Sequence, residues 1–324
     1  MSPLSKKLRV LITGATGCAG THLSQLALDK GARVFGFALS GSFVAGVTDS
    51  YGDLSQPTIV EAVVSQTKPD WVFHLAALIP GAIPRATNET FIKINVTGTS
   101  FVLDAVRRIA PGARVLVAVS SAIYGQPEDP RKPISEDSPL HSQSIYATVK
   151  SGQDMLAAQF YAEHELHTIR GRTFNQTGPR EPANLVCATL ARQIARIEAG
   201  RQEPVLRAIT LVTRRDFTDV RDVVAGYWAA LEHGTAGQAY NICSGRSESI
   251  QRIAEILIGL STTRGIQVVE IGPAPGPGAI LDQIGDASRL RACSGWRPRI
   301  LLEQSLRDLL EEWRVRVRME ASET

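Results

Sequence analysis

The chain has 324 residues, 44% of them hydrophobic and 21% charged, with a mean hydropathy of -0.02. That length allows about two domains at roughly 150 residues each, and the composition argues against disorder. A net charge of +3 with a pI near 8.7 is too small an excess for nucleic acid or an anionic membrane as main partner, and no apolar run approaches the roughly 18 residues that span a bilayer.

The N-terminal MSPLSKK leads straight into a short apolar stretch without a cleavage site, so no signal peptide is read. Cys18, Cys187, Cys243 and Cys293 are far apart with no CxxC, a pattern that suits reduced thiols in a cytoplasm. Residues 8–13 form an apolar run that stops at Gly14. A helix follows, with Leu23, Leu26 and Ala27 on one face and Gly31 placed to close it. Residues 33–39 are a second strand, and Ser55 is the expected N-cap of the next helix. Residues 71–75 are a strand, 91–109 one long helix, and 114–119 another strand. A helix over 144–162 and a strand over 167–172 complete the alternation. Repeated strand and helix, with strands apolar throughout, predict an α/β fold: a Rossmann-type doubly wound parallel sheet. After about Phe174 the alternation weakens, and a Gly/Pro-rich loop spans 272–278. A smaller, interleaved C-terminal substrate domain is expected. The dinucleotide-binding domain covers 1–173, with 216–243 returning to it, and the substrate-binding domain covers 174–215 and 244–324.

The glycines of TGATGCAG, residues 13–20, lie between a strand and a helix. There the backbone can approach a pyrophosphate, and the helix N-terminus offers free N–H groups. Gly14, Thr16, Gly17, Cys18 and Gly20 are the candidate cofactor residues of this loop. The second strand ends Leu39, Ser40, Gly41, Ser42, with no acid to hold ribose hydroxyls. That slightly favours NADP(H) over NAD(H), with Ser40, Ser42 or Arg33 holding the 2′-phosphate.

Tyr146 and Lys150 lie four apart, on one face of a helix. Lys150 and an oxidised nicotinamide are expected to lower the tyrosine pKa, and a phenol so placed can exchange a proton with a carbonyl or alcohol oxygen. His164 and His167 lie beside Glu163 and Glu165, at a helix end before a strand, and are read as solvated rather than as a metal site.

The GxxGxxG loop, Asp53-Leu54, Leu75-Ala76-Ala77, Asn95, Ser120-Ser121 and the Tyr146/Lys150 pair together resemble the extended short-chain dehydrogenase/reductases. RTFN at 172–175, Gly178-Pro179, RDFTDVRD at 215–222 and YNICSG at 240–245 are similar to their sugar-nucleotide branch, the NAD-dependent epimerase/dehydratase family. With GWRPR at 295–299, the chain looks most like GDP-4-keto-6-deoxy-D-mannose reductases. The resemblance implies Ser120, Tyr146 and Lys150 as the catalytic set, and Asp53, Leu54, Leu75, Ala76, Ala77, Tyr146 and Lys150 as further cofactor contacts. It implies Ser121, Ala122, Asn175, Arg180 and Arg215 on the substrate, with Arg215 gripping a phosphate, and Asp219 and Asp222 fixing the loop and helix start. The 4,6-dehydratases carry a glutamate where this chain has Ala122, which cannot move a proton, and no arginine stands in residues 272–278. The resemblance thus implies NAD(P)H-dependent reduction of a nucleotide-linked 4-keto sugar in deoxysugar biosynthesis. The alternatives are a 4-epimerase with tightly bound NAD, and a non-catalytic dinucleotide sensor. The expected partner is a nucleotide-diphosphate sugar. A homodimer through a four-helix bundle is also implied, with Phe101, Leu103, Met155, Leu156 and Phe160 as the candidate seam.

Overall fold

The computed structural model describes residues 7–273, 276 and 279–320. Residues 1–6, which carry most of the N-terminal reading, and 274, 275, 277 and 278 of the Gly/Pro loop lie outside them. No helix among the described residues is long and apolar enough to cross a membrane.

Strands β1 (Arg9–Thr13), β2 (Arg33–Ala38), β3 (Thr48–Tyr51), β4 (Trp71–His74), β5 (Arg114–Ser120), β6 (Thr168–Thr173) and β10 (Ala239–Ile242) form one seven-stranded sheet. Its order is β3-β2-β1-β4-β5-β6-β10, and every pairing is parallel. The order reverses between β1 and β4, so the crevice for a ligand opens at their carboxyl ends. Val10, Leu11, Ile12, Val72, Phe73, Val115, Leu116 and Val117 are all at most 1% exposed, because helices cover both faces.

Helices α1 (Cys18–Asp29), α2 (Pro57–Thr67), α4 (Gly98–Ile109), α5 (Ile145–His164) and α7 (Val220–His233) pack around this sheet. A second apolar cluster joins α6 (Val186–Glu198), α8 (Ile250–Leu260) and α10 (Leu302–Met319) through Leu190, Ile194, Leu257, Leu306 and Leu310. It carries the small sheet of β7 (Asn175–Thr177), β9 (Arg214–Asp219) and β11 (Ser247–Ser249), and the pair β8 (Val205–Ala208) with β12 (Gln267–Glu270). Helix α9 (Ser288–Ser294) packs back on the first cluster through Leu290.

Two local expectations are corrected. Helix α2 begins at Pro57 with Gln56 as its N-cap, while Ser55 instead gives its N–H to Asp53 Oδ1. The expected helix over 91–109 begins earlier, as α3 (Asn88–Phe91), where Thr87 accepts from Thr90 N–H. It then widens into a π-turn over Ile92–Thr97 before α4. The π-turn carries the fully buried Asn95, which exchanges hydrogen bonds with the backbone of Leu78 at 2.7 and 3.1 Å.

Candidate active site

The glycine loop follows β1 because only glycine fits. Gly14 has φ +71°, and a Cβ there would lie 2.9 Å from the Ala76 backbone. A Cβ on Gly20 would lie 2.1 Å from the Gly14 carbonyl oxygen. Gly17 is the N-cap of α1, which has no side-chain cap and no acid in its first turn. Its free N–H groups fit a pyrophosphate. Cys18 gives its S–H to Pro179 O, and burial together with Glu181 pushes the thiol up to about 12. Thr16 donates to Ser40 O, tying the loop to the end of β2.

The second loop, Leu75 to Ala77, touches the first. Ala76 N–H donates to Thr13 Oγ1, and Thr13 Oγ1–H donates to His74 Nδ1 at 2.7 Å. Thr99 spends its own hydrogen on Asn95 O, so His74 Nε2–H donates to Thr99 at 2.8 Å. Gln153 of α5 also donates to Thr99. This buried chain fixes α5 against the carboxyl ends of β1 and β4. Burial and Lys150 pull His74 down to about 3, so it stays neutral. The sequence reading missed His74; a histidine inside the apolar run 71–75 was the available signal. Leu54 is buried beneath Gly98. Asp53 holds the turn before α2 with one of its oxygens.

Ser144 caps α5, accepting from Ala147 N–H, and so starts the helix that carries Tyr146 and Lys150. Lys150 is 5% exposed and donates to Ala118 O of β5 at 2.8 Å. Burial pushes its ammonium down to about 7. Ser120, at the end of β5, approaches Tyr146, whose hydroxyl end lies deep. The expected lowering of the tyrosine pKa is not what the free chain has. Burial raises it, and only the Ser120 hydroxyl opposes the rise. The phenol therefore keeps its proton, the form that a general acid requires.

Beside this set a cavity of about 460 Å³ is lined by Ala122, Ser144, Ala147, Thr213, Arg215 and Ile280, among others. Arg215 donates to Arg214 O and Ile280 O, both at 2.7 Å, and burial lowers its pKa. It is not paired with Asp216. Neighbours on a strand face opposite ways, and the buried Asp216 accepts instead from Ser244, Gly245 and Gly285 N–H. Asp219 caps α7 through Arg221 N–H, and Asp222 accepts from the N–H groups of Arg299 and Ile300. Asn175 opens β7, one strand over from Phe217. Arg180 does not reach the Arg215 cavity; it is exposed at φ +68° and lies beside Cys18 at the glycine loop. Ser121 is buried, with its hydroxyl spent on Gln283, which also holds the Ser121 and Gly125 carbonyls. Gln283 has no sequence signal. Arg33 opens β2 and stacks on Phe35, at the far end of the strand from Ser40, so it cannot reach a phosphate there.

A family model described as GDP-mannose 4,6 dehydratase matches residues 11–309. The chain belongs to that family. It is 32% identical to GDP-6-deoxy-D-mannose reductase of Pseudomonas aeruginosa, over 96% of this chain and 99% of that one. The solved structure of RMD from Pseudomonas aeruginosa complexed with NADPH matches with a TM-score of 0.82 and 30% identity, over 95% and 99% of the two chains. UDP-glucose 4-epimerase from Thermotoga maritima shares the fold, with a TM-score of 0.84 at 23% identity over 95% and 99%.

One buried group of this family member supplies a pH test. Glu181 is 3% exposed, accepts from Thr177 and from N–H groups at the start of α6, and is pushed by burial up to about 7. The folded chain thus holds a proton that the unfolded chain releases above its ordinary carboxylate range. Stability should fall as pH rises through that window, by roughly 2–3 kcal/mol between pH 5 and 8. Glu181→Gln removes this slope, so its unfolding free energy relative to the native chain should climb by that amount over the same range. A difference independent of pH would show that Glu181 does not titrate there.

Proposed function

We propose that this protein is an NADPH-dependent reductase of a nucleotide-linked 4-keto-6-deoxy sugar, with a GDP-4-keto-6-deoxymannose-like substrate. The observation that carries this reading is the placing of Ser120, Tyr146 and Lys150 beside a cavity walled by Ala122 and Arg215. The pairing of Pseudomonas aeruginosa RMD with NADPH and the absence of an acid at the end of β2 support NADP(H), with Ser40 and Ser42 at the phosphate.

NADPH, when bound, supplies a hydride to the carbonyl carbon. Gly14 and Gly20 let the loop turn tightly against Ala76 and itself; Thr16, Gly17 and the start of α1 would hold its pyrophosphate, with Leu75 to Ala77 alongside. Tyr146 Oη gives its proton to the keto oxygen, and Ser120 Oγ donates a hydrogen bond to the same oxygen. Lys150 Nζ is held on Ala118 O, ready to turn to the cofactor ribose. Arg215 orients the diphosphate, with Asn175 alongside. The split into a cofactor region, 1–173 with 216–243, and a substrate region, 174–215 with 244–324, fits this assignment. The second apolar cluster lies almost wholly in the latter.

Ala122 separates this activity from dehydration. Incubation with GDP-mannose and NADP should yield no 4-keto-6-deoxy product, because no base stands at that position to remove the proton beside the keto group; accumulation of that product would overturn the reductase reading.

A homodimer through α4 and α5 belongs to the same proposal, with a narrower seam. Leu103 and Phe160 are core residues at 0% and 6% exposure, whereas Met155 is 66% exposed. Light scattering at micromolar concentration should give twice the 35.0 kDa chain mass, and Met155→Glu should shift it toward the monomer. A monomer mass for the native chain would rule the dimer out.

A further inference from the structure

A second cavity, of about 670 Å³, shares no residue with the one that holds Arg215. It lies between the loop after β10, the inner residues of β9, and the connection from α9 to α10. Its volume is in the range of small-molecule sites. Arg246, Arg291, Arg297 and Arg299 line it, and all four are exposed.

None of the four is in an ion pair among the described residues. Several other arginines are paired, among them Arg108 with Glu61 and Asp104, Arg221 with Asp219 and Asp308, and Arg314 with Glu198 and Glu311. Of the carboxylates on the same walls, Glu303 lies 3.9 Å from Arg252, and Asp286 accepts from Ser288 N–H. With Glu248, three carboxylates stand among the described lining residues, so the four guanidiniums exceed them by one.

The backbone that presents these arginines is fixed. Asp222 accepts from Arg299 and Ile300 N–H at 2.8 and 2.7 Å, and Trp296 Nε1 donates to Asp222 O. Asp216 holds the turn before Arg246 through Ser244 and Gly245. Guanidiniums brought from separate segments onto a pinned frame repel one another until an anion joins them, and arginine is suited to phosphate through its planar fork.

We propose that this cavity is a second anion site, which takes a small ligand carrying two or more linked phosphates and is separate from the substrate pocket. Phe217 and Thr218 of β9 line it, two and three residues on from Arg215, the arginine assigned to the substrate. The proposal does not depend on the assigned activity.

Calorimetric titration of the full chain with inorganic tripolyphosphate tests it. Binding should weaken with salt. In Arg297→Ala/Arg299→Ala one bound tripolyphosphate should weaken at least about tenfold, or 1.4 kcal/mol. Arg246→Ala, in a different segment, should weaken the same event. Arg215→Ala should leave it unchanged. Tripolyphosphate binding that is lost in Arg215→Ala but intact in both cavity variants, or no binding to the native chain at millimolar concentration, would overturn the proposal. Repeating the series with GDP separates the sources. A cavity-dependent event tighter than tripolyphosphate marks a nucleotide occupant, and an equal or weaker one marks the phosphate chain alone.

Discussion

Tyr146→Phe is expected to lower turnover by about 10²–10⁴-fold, the effect of losing a positioned acid. The ring fills the same space, so α5 and the Ser144 cap stay in place. Cofactor affinity should remain near native, because Lys150 reaches Ala118 O without the phenol and the glycine loop lies on other elements. The loss should appear in kcat with little change in substrate KM, as for an interaction made in the transition state. The high phenol pKa set by burial also means that reduction should not fade between pH 7 and 9 through loss of the Tyr146 proton. Stopped-flow single turnovers with NADPH check both points. Near-native turnover in the phenylalanine variant would remove Tyr146 from the acid role.

Arg215→Ala should act on binding. Its guanidinium is held at the cavity wall by two carbonyl oxygens and is partly stripped of water. A phosphate paired there keeps its charge throughout hydride transfer, so the contact is nearly uniform between ground and transition states. The substrate KM should rise by an amount corresponding to about 2–5 kcal/mol, the usual cost of truncating one partner of a buried charge pair. Turnover at saturation should change much less. Arg215→Lys should recover only part, since an ammonium lacks the fork. NADPH affinity should be unaffected. If instead NADPH weakens and substrate KM stays put, Arg215 belongs to the cofactor site.

Much of the first half of the fold was legible because strands covered on both faces read as apolar runs. Residues 8–13, 71–75 and 114–119 show this plainly, and the glycine loop and the Tyr146/Lys150 spacing depend only on local chain geometry. The second half was harder for a physical reason. Strands β7, β9 and β11 are short and mostly polar, and β3, with sequence TDSY, is largely exposed. None of these carries a period that distinguishes it from loop. Without β9 as a strand, nothing in the sequence places Arg215 and Asp216 on opposite faces. The π-turn that turns Asn95 inward has no sequence signature, and neither does the reach of Gln283 to Ser121. Arg33 was misplaced although the strand read over 33–39 already sets it at the opposite end from Ser40, too far along an extended chain to share a phosphate. The seam residues Leu103 and Phe160 show the same limit: helical periodicity marks an apolar face without saying which side of the helix meets the sheet.

The activity proposed for this chain is reduction of a nucleotide-linked 4-keto sugar by external NADPH. Mixing the purified chain with GDP-4-keto-6-deoxymannose and NADPH, while following absorbance and product together, tests it most directly. One NADPH should be oxidised for each 4-hydroxy sugar formed, with NADH slower, and oxidised cofactor should leave the protein after each turnover. If the protein instead retains NAD through purification, interconverts nucleotide hexoses differing at the 4-hydroxyl, and consumes no added NADPH, the chain is an epimerase and the reductase account is wrong.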